Sequence, residues 1–185
     1  LELIESKTED ARKPWETDEV KAAVATRGFH NITLTLNNIK ATAMILTDIF
    51  GYKLIGQEVN RYRYATDTVE NAAIVDLVEL ADEKRGHVAN GSIHHVAFRV
   101  QNDEILMHFR EKNEKAGLSI TPQIDRQYFH SLYFREPGGV LFEIATDNPG
   151  FMVDETLEEL GKGLKLPARY EANRNEIEAH LVKIN

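Results

Sequence analysis

Cysteine is missing from all 185 residues, and that absence excludes disulfides, thiol nucleophiles and thiolate metal sites together. It also fits a reducing cytoplasm. Any metal would have to be held by His, Asp or Glu, a donor set that favours iron, manganese, zinc or nickel. Surplus positive charge is lacking as well: 22 Lys and Arg stand against 30 Asp and Glu, for a formal net charge of -8. Such a chain would not neutralise phosphates, which argues against a nucleic-acid partner. No apolar run approaches the roughly 20 residues needed to span a bilayer, and no basic-then-apolar signal segment opens the chain. What is present is the composition of a folded protein, 42% hydrophobic and 28% charged, at a length suited to one domain or two repeated units around a shared core.

Two stretches echo each other. RGFHNITLTL, residues 27 to 36, and NGSIHHVAFRV, residues 90 to 100, both run glycine, short apolar stretch, histidine, polar residue, alternating strand. The polar residue is Asn31 in the first and His95 in the second, 64 residues apart. After each strand comes a helical pattern, Ile39 to Phe50 and Asn102 to about Lys115, closed by Gly51 and Gly117 where C-caps belong. Short strands follow in YKLIG, RYRYA and AAIVDLVEL, and again in LSITP, QYFHSLYF and GVLFEIAT, with Glu136-Pro137-Gly138-Gly139 as a turn. The order predicts an α+β fold of two βαβββ units, residues 27–82 and 90–147, forming a curved half-barrel or barrel sheet with flanking helices. Residues 148–185 form a polar tail, helical over NEIEAHLVKI. Residues 1–26 read differently. Leu1-Glu2-Leu3-Ile4-Glu5 has a strand pattern without a leading methionine, as the end strand of a preceding unit would, and a polar linker follows.

Strand parity assigns faces. In the later repeat His94, Val96, Phe98 and Val100 fall on the packing face, and His95, Ala97 and Arg99 on the concave one. On the last strand Val140, Phe142 and Ile144 pack, whereas Leu141, Glu143 and Ala145 face the cavity. Ser131, Tyr133 and Arg135 do likewise on the strand before. A glutamate within VLFEIA is costly to bury without a partner. Parity therefore puts His95 and Glu143 on one surface, the first candidates for metal ligands.

These residues carry a resemblance. Paired βαβββ units with a histidine on the first strand and a glutamate on the last resemble the vicinal oxygen chelate superfamily of glyoxalases, bleomycin-resistance proteins and extradiol dioxygenases. GSIHHVAFRV, DRQYFHSLYFREPGGVLFEIATDNPGF and the tail pattern LP-x-x-YE-x-x-R-x-x-IE are similar to the C-terminal half of hydroquinone-type ring-cleaving dioxygenases. The resemblance implies Fe(II) held by two histidines and a glutamate, of which His95 and Glu143 match two. Zinc, nickel or manganese would suit the same donors. It further implies that Arg126 and Tyr133 line the pocket, that His94 stands behind the ligand His95, and that a small aromatic and O2 are the substrates. The third ligand is expected from an N-terminal half of the protein upstream of Leu1, so this chain alone should bind metal weakly and not turn over. The same fold also admits a zinc- or nickel-dependent glyoxalase-like lyase or isomerase, with Glu79 as a remote candidate for its extra carboxylate. A third reading is a non-catalytic protein that sequesters small aromatics. Assembly into a homo-oligomer is left open.

Overall fold

A computed structural model of the chain describes residues 1–5, 10–84 and 86–182. It divides into two compact units, residues 1–96 with 135–141, and residues 97–134 with 142–185. Each βαβββ repeat supplies one four-stranded sheet. The first has the order β1-β4-β3-β2, with β1 at Asn31–Leu36, β2 at Lys53–Glu58, β3 at Arg61–Ala65 and β4 at Ile74–Glu79. The second has the order β5-β8-β7-β6, with β5 at Val96–Val100, β6 at Ile124–Asp125, β7 at Phe129–Arg135 and β8 at Leu141–Pro149. The expected α+β repeat architecture is thus the observed one. Among the described residues no helix is long and apolar enough to cross a membrane.

In the first sheet β1 and β4 run parallel, pairing Thr33 with Asp76, and β3 runs antiparallel to β4, pairing Arg63 with the same aspartate. A parallel neighbour requires a crossover, and the stretch after β1 provides it. The expected helix from Ile39 to Phe50 is α1, Lys40–Met44, continued by a wider π-type turn over Ile45–Ile49. Ile39, Ile45, Leu46, Ile49 and Phe50 are buried, and Gly51 closes the element at φ +74°, a left-handed conformation that glycine adopts without a Cβ clash. At the sheet's edge, β2 is exposed along its whole length, Leu54 and Ile55 included. Its pairing with β3 shifts register between Leu54 and Gly56.

In the second unit α2, Asp103–Lys115, starts at Asn102, whose side chain accepts the Ile105 backbone N–H at 3.0 Å. Asp103 and Glu104 in its first turn and Lys112 and Lys115 in its last complement the helix dipole. Leu106, Leu132, Phe134, Phe142 and Ile144 form the core. Phe142 sits between the rings of Phe98 and Phe134, at centroid distances of 4.9 and 5.6 Å.

Several expectations need correction. Leu1–Glu5 is exposed and carries no strand, because nothing among the described residues pairs with its backbone. The strand expected over Ser92–Val100 begins only at Val96, so strand parity does not govern His94, which is exposed rather than packed. LSITP contributes a single bridge, Ile120 to Phe134. The C-terminal helix α3, Arg174–His180, is shorter than NEIEAHLVKI; Lys183 and Ile184 of that stretch lie outside the described residues.

The turn at 135–141 groups with the first unit and is built around a buried glutamate. Glu136, 2% exposed, accepts the N–H groups of Gly138 and Val140 at 2.8 and 2.7 Å and the hydroxyl of Thr42. A Cβ at Gly138 would stand 2.6 Å from Leu36 Cδ2 and 2.8 Å from Glu136 Oε1. Leu36 is itself buried and has little room to give. Gly138→Ala should therefore lower stability by about 1–3 kcal/mol, the range for overpacking a filled site, measurable by urea denaturation. An unchanged midpoint would show that the turn yields.

Candidate functional site

The adjacent strands β7 and β8, with the residue that follows β6, bring three of the expected side chains together. Glu143 on β8 is 3% exposed, an environment in which a carboxylate needs hydrogen bonds. The Tyr133 hydroxyl, from β7, donates to its Oε1 at 2.5 Å, the short distance typical of an O–H bonded to an ionised oxygen. Arg126 completes the chain. Its Nη2 donates to the Tyr133 oxygen at 3.3 Å, and its guanidinium lies 5.4 Å from the centre of the tyrosine ring. The carboxylate of the neighbouring Asp125 accepts the Gln127 N–H at 2.7 Å through Oδ1. The tyrosine is held in place through its backbone, whose N–H and C=O both bond Thr121 at 3.0 Å. A cation, a phenol and a buried carboxylate in series can pass or hold a proton and can receive an anionic oxygen at the arginine end.

His94 and His95 lie just ahead of β5. Their Nδ1 atoms are 2.9 Å apart, with the rings edge to face at 88°. One Nδ1 must carry the proton and the other accept it, so the pair fixes complementary tautomers and leaves both Nε2 atoms outside this bond. His94 is exposed and His95 partly buried.

The first unit holds a polar centre on the corresponding strands, and sequence inspection missed it. Asp76 on β4 is fully buried. Its Oδ1 accepts Arg63 Nε at 2.8 Å, and its Oδ2 accepts Arg63 Nη2 at 2.8 Å, Arg61 Nη1 at 3.1 Å and Asn31 Nδ2 at 3.1 Å. Burial alone would raise the carboxyl's pKa, but the hydrogen bonds and charges of Arg63 and Arg61 outweigh it and hold the group below the usual aspartate value. Glu79, the remote candidate for an extra ligand, is engaged locally, where its Oε1 accepts the Ile39 N–H at 3.2 Å at the start of α1. The signal for Asp76 was available in the sequence. It is the one charge inside IVDLV, as Glu143 is inside VLFEIA. Asn31, which stands where the second repeat has His95, serves this carboxylate, since an amide can donate to it without competing for a proton.

His95 and Glu143 are donors of the right type for ferrous iron, an imidazole and a carboxylate. Among the described residues no group of three or more His, Asp or Glu side chains is placed to hold a metal ion. The described residues therefore do not complete a three-ligand site.

Comparison with known proteins agrees with this architecture. The profile of the Glyoxalase/Bleomycin resistance protein/Dioxygenase superfamily matches residues 28–144. The chain is 40% identical over 98% of its length to MhqO of Bacillus subtilis (strain 168), named as a candidate ring-cleaving dioxygenase, and covers 57% of that protein. It is 35% identical over 96% of its length to the chlorohydroquinone/hydroquinone 1,2-dioxygenase of Sphingobium indicum, covering 56% of it. The chain thus spans little more than half the length of these curated relatives. A crystal structure of a candidate dioxygenase from Bacillus subtilis superposes over 94% of this chain and 56% of its own, with a TM-score of 0.87 and 37% identity. A glyoxylase/bleomycin resistance protein/dioxygenase domain from Frankia sp. EAN1pec, at 18% identity and a TM-score of 0.59 over 69% of this chain and 97% of its own, shares the fold alone. By its two βαβββ repeats and by the span that the profile matches, the chain belongs to the Glyoxalase/Bleomycin resistance protein/Dioxygenase superfamily.

Proposed function

We propose that this chain serves a non-haem, Fe(II)-dependent ring-cleaving dioxygenase that acts on a hydroquinone- or catechol-like aromatic. The observation that carries the reading is the hydrogen-bonded Arg126–Tyr133–Glu143 chain, whose carboxylate is buried in the second sheet. Its support in sequence is the relationship to one relative named for ring cleavage and one named a hydroquinone dioxygenase. His95 and Glu143 are proposed as metal ligands on the sequence resemblance, and the described residues place no third ligand beside them. When bound, ferrous iron would supply the one-electron chemistry that lets O2 react with an electron-rich ring.

The chain's own residues have separable roles. Glu143 carries the negative charge that balances the metal. Tyr133 keeps its hydroxyl proton on the Glu143 side, ready to be shared with a phenolic oxygen of the substrate. Arg126 stabilises an anionic substrate or product oxygen beside it. His94 accepts from, or donates to, Nδ1 of His95, which sets the tautomer that a ligating imidazole requires.

The zinc-type lyase reading would draw on Glu79, whose Oε1 accepts the Ile39 N–H at the start of α1. The decisive assay loads the intact protein that contains this chain with Fe(II) under anaerobic conditions and follows O2 uptake with a panel of hydroquinones and catechols. Uptake matched by loss of the aromatic chromophore is the expected result. Saturable aromatic binding with no uptake anywhere in the panel would sink the dioxygenase reading in favour of sequestration.

A further inference from the structure

The Asp76 centre has more cation than its carboxylate can use. A carboxylate offers about four lone-pair sites, and Arg63, Arg61 and Asn31 already fill them with four hydrogen bonds. Arg61 also donates from Nη1 to Thr33 Oγ1 at 3.1 Å. Nε and Nη2 of Arg61 and Nη1 of Arg63 then take no protein acceptor among the described residues. One buried negative charge meets two guanidinium groups, each more than a third exposed. Glu58, paired in register with Arg61 on β2, is exposed and acts on Arg63 only through its charge.

The pair is also held in position before any ligand arrives. Arg63 grips Asp76 with two parallel N–H bonds, the fork geometry that guanidinium groups use for carboxylates. Arg61 is fixed by two acceptors on two different strands. Much of the side-chain entropy that a flexible arginine loses on binding has already been lost in folding. The outer edges of both guanidinium groups stay open to solvent beside the Thr33 hydroxyl.

We propose that this face of the first sheet binds a small oxyanion, a carboxylate or phosphate group, through the outward N–H groups of Arg61 and Arg63. The site is distinct from the Arg126–Tyr133–Glu143 chain and does not rest on the dioxygenase reading. It makes the first repeat a binding unit in its own right, with guanidinium in the role of fixed cation.

The test follows the Nε–Hε signals of Arg61 and Arg63 by NMR during titration with inorganic phosphate and with benzoate, against sodium chloride at matched ionic strength. Saturable shifts with either oxyanion, and linear drift with chloride, are expected; the stronger probe tells phosphate from aromatic carboxylate. Arg61→Gln leaves the two-pronged Arg63–Asp76 bond in place and should weaken binding roughly tenfold or more, the worth of a charged hydrogen bond. Glu143→Gln should leave the titration unchanged, which separates this site from the metal reading. Drift identical to chloride with both probes, or undiminished binding by Arg61→Gln, would overturn the proposal and leave the pair as mere counter-ions to Asp76.

Discussion

On the proposed ring-cleavage reading, replacing Glu143 by glutamine in the intact protein should abolish iron binding and lower ring cleavage by more than the ~10–100-fold typical of changes behind a metal's direct ligands, while leaving the fold intact. The two halves of that expectation have different causes. Glutamine keeps the length and an acceptor oxygen, so the Tyr133 hydroxyl retains a partner and the site loses no packing. What disappears is the negative charge, and a neutral amide is a poor ligand for a hard divalent cation. Removing a charge from a position 3% exposed also relieves a desolvation cost, so the melting temperature, compared between the metal-free proteins, should hold or rise. Iron content by elemental analysis, thermal unfolding and O2 uptake read the three quantities separately. Iron retained at the wild-type level would show that Glu143 is only the hydrogen-bond partner of Tyr133.

The second large effect concerns the other carboxylate. Asp76→Ala should destabilise the protein by about 2–3 kcal/mol, below the roughly 3–5 kcal/mol for breaking a fully buried ion pair. The discount is physical: Arg61 and Arg63 are more than a third exposed, so water can take over part of the lost interaction. The pH dependence follows from the direction of the shift. The folded-state pKa of Asp76 lies below its unfolded value, so its stabilisation is fully present above the unfolded aspartate value of about 4. It is lost as pH falls through the lower folded value. Urea midpoints of wild type and Asp76→Ala should therefore differ most near neutrality and converge below about pH 4. A gap that stays constant well into the acid range would assign the loss to packing alone.

Periodicity and parity carried the fold a long way. The crossover helix, the glycine closures and the alternating faces of β7 and β8 follow from local pattern, because burial of one face dictates residue type at every second position. Parity failed at His94 because the strand starts two residues later, at Val96; hydrogen-bonded pairing, not residue pattern, sets where a strand begins. Leu1–Glu5 failed for the same reason, as a strand pattern without a partner is not a strand. The link between Tyr133 and Glu143 was legible as a shared face but not as a hydrogen bond. Thr42 with Glu136 was not legible at all, because a contact between residues far apart in the chain leaves no periodic trace.

The edge strand β2 has a bearing on handling the protein. Its outward Leu54 and Ile55 and its open backbone are the ingredients of strand-to-strand aggregation. The register shift between Leu54 and Gly56 breaks the regular ladder that an incoming strand would need to copy. Shelf life in concentrated solution is then guarded by an irregularity of the backbone, in a stretch where Lys53 and Glu58 place charge only at the two ends.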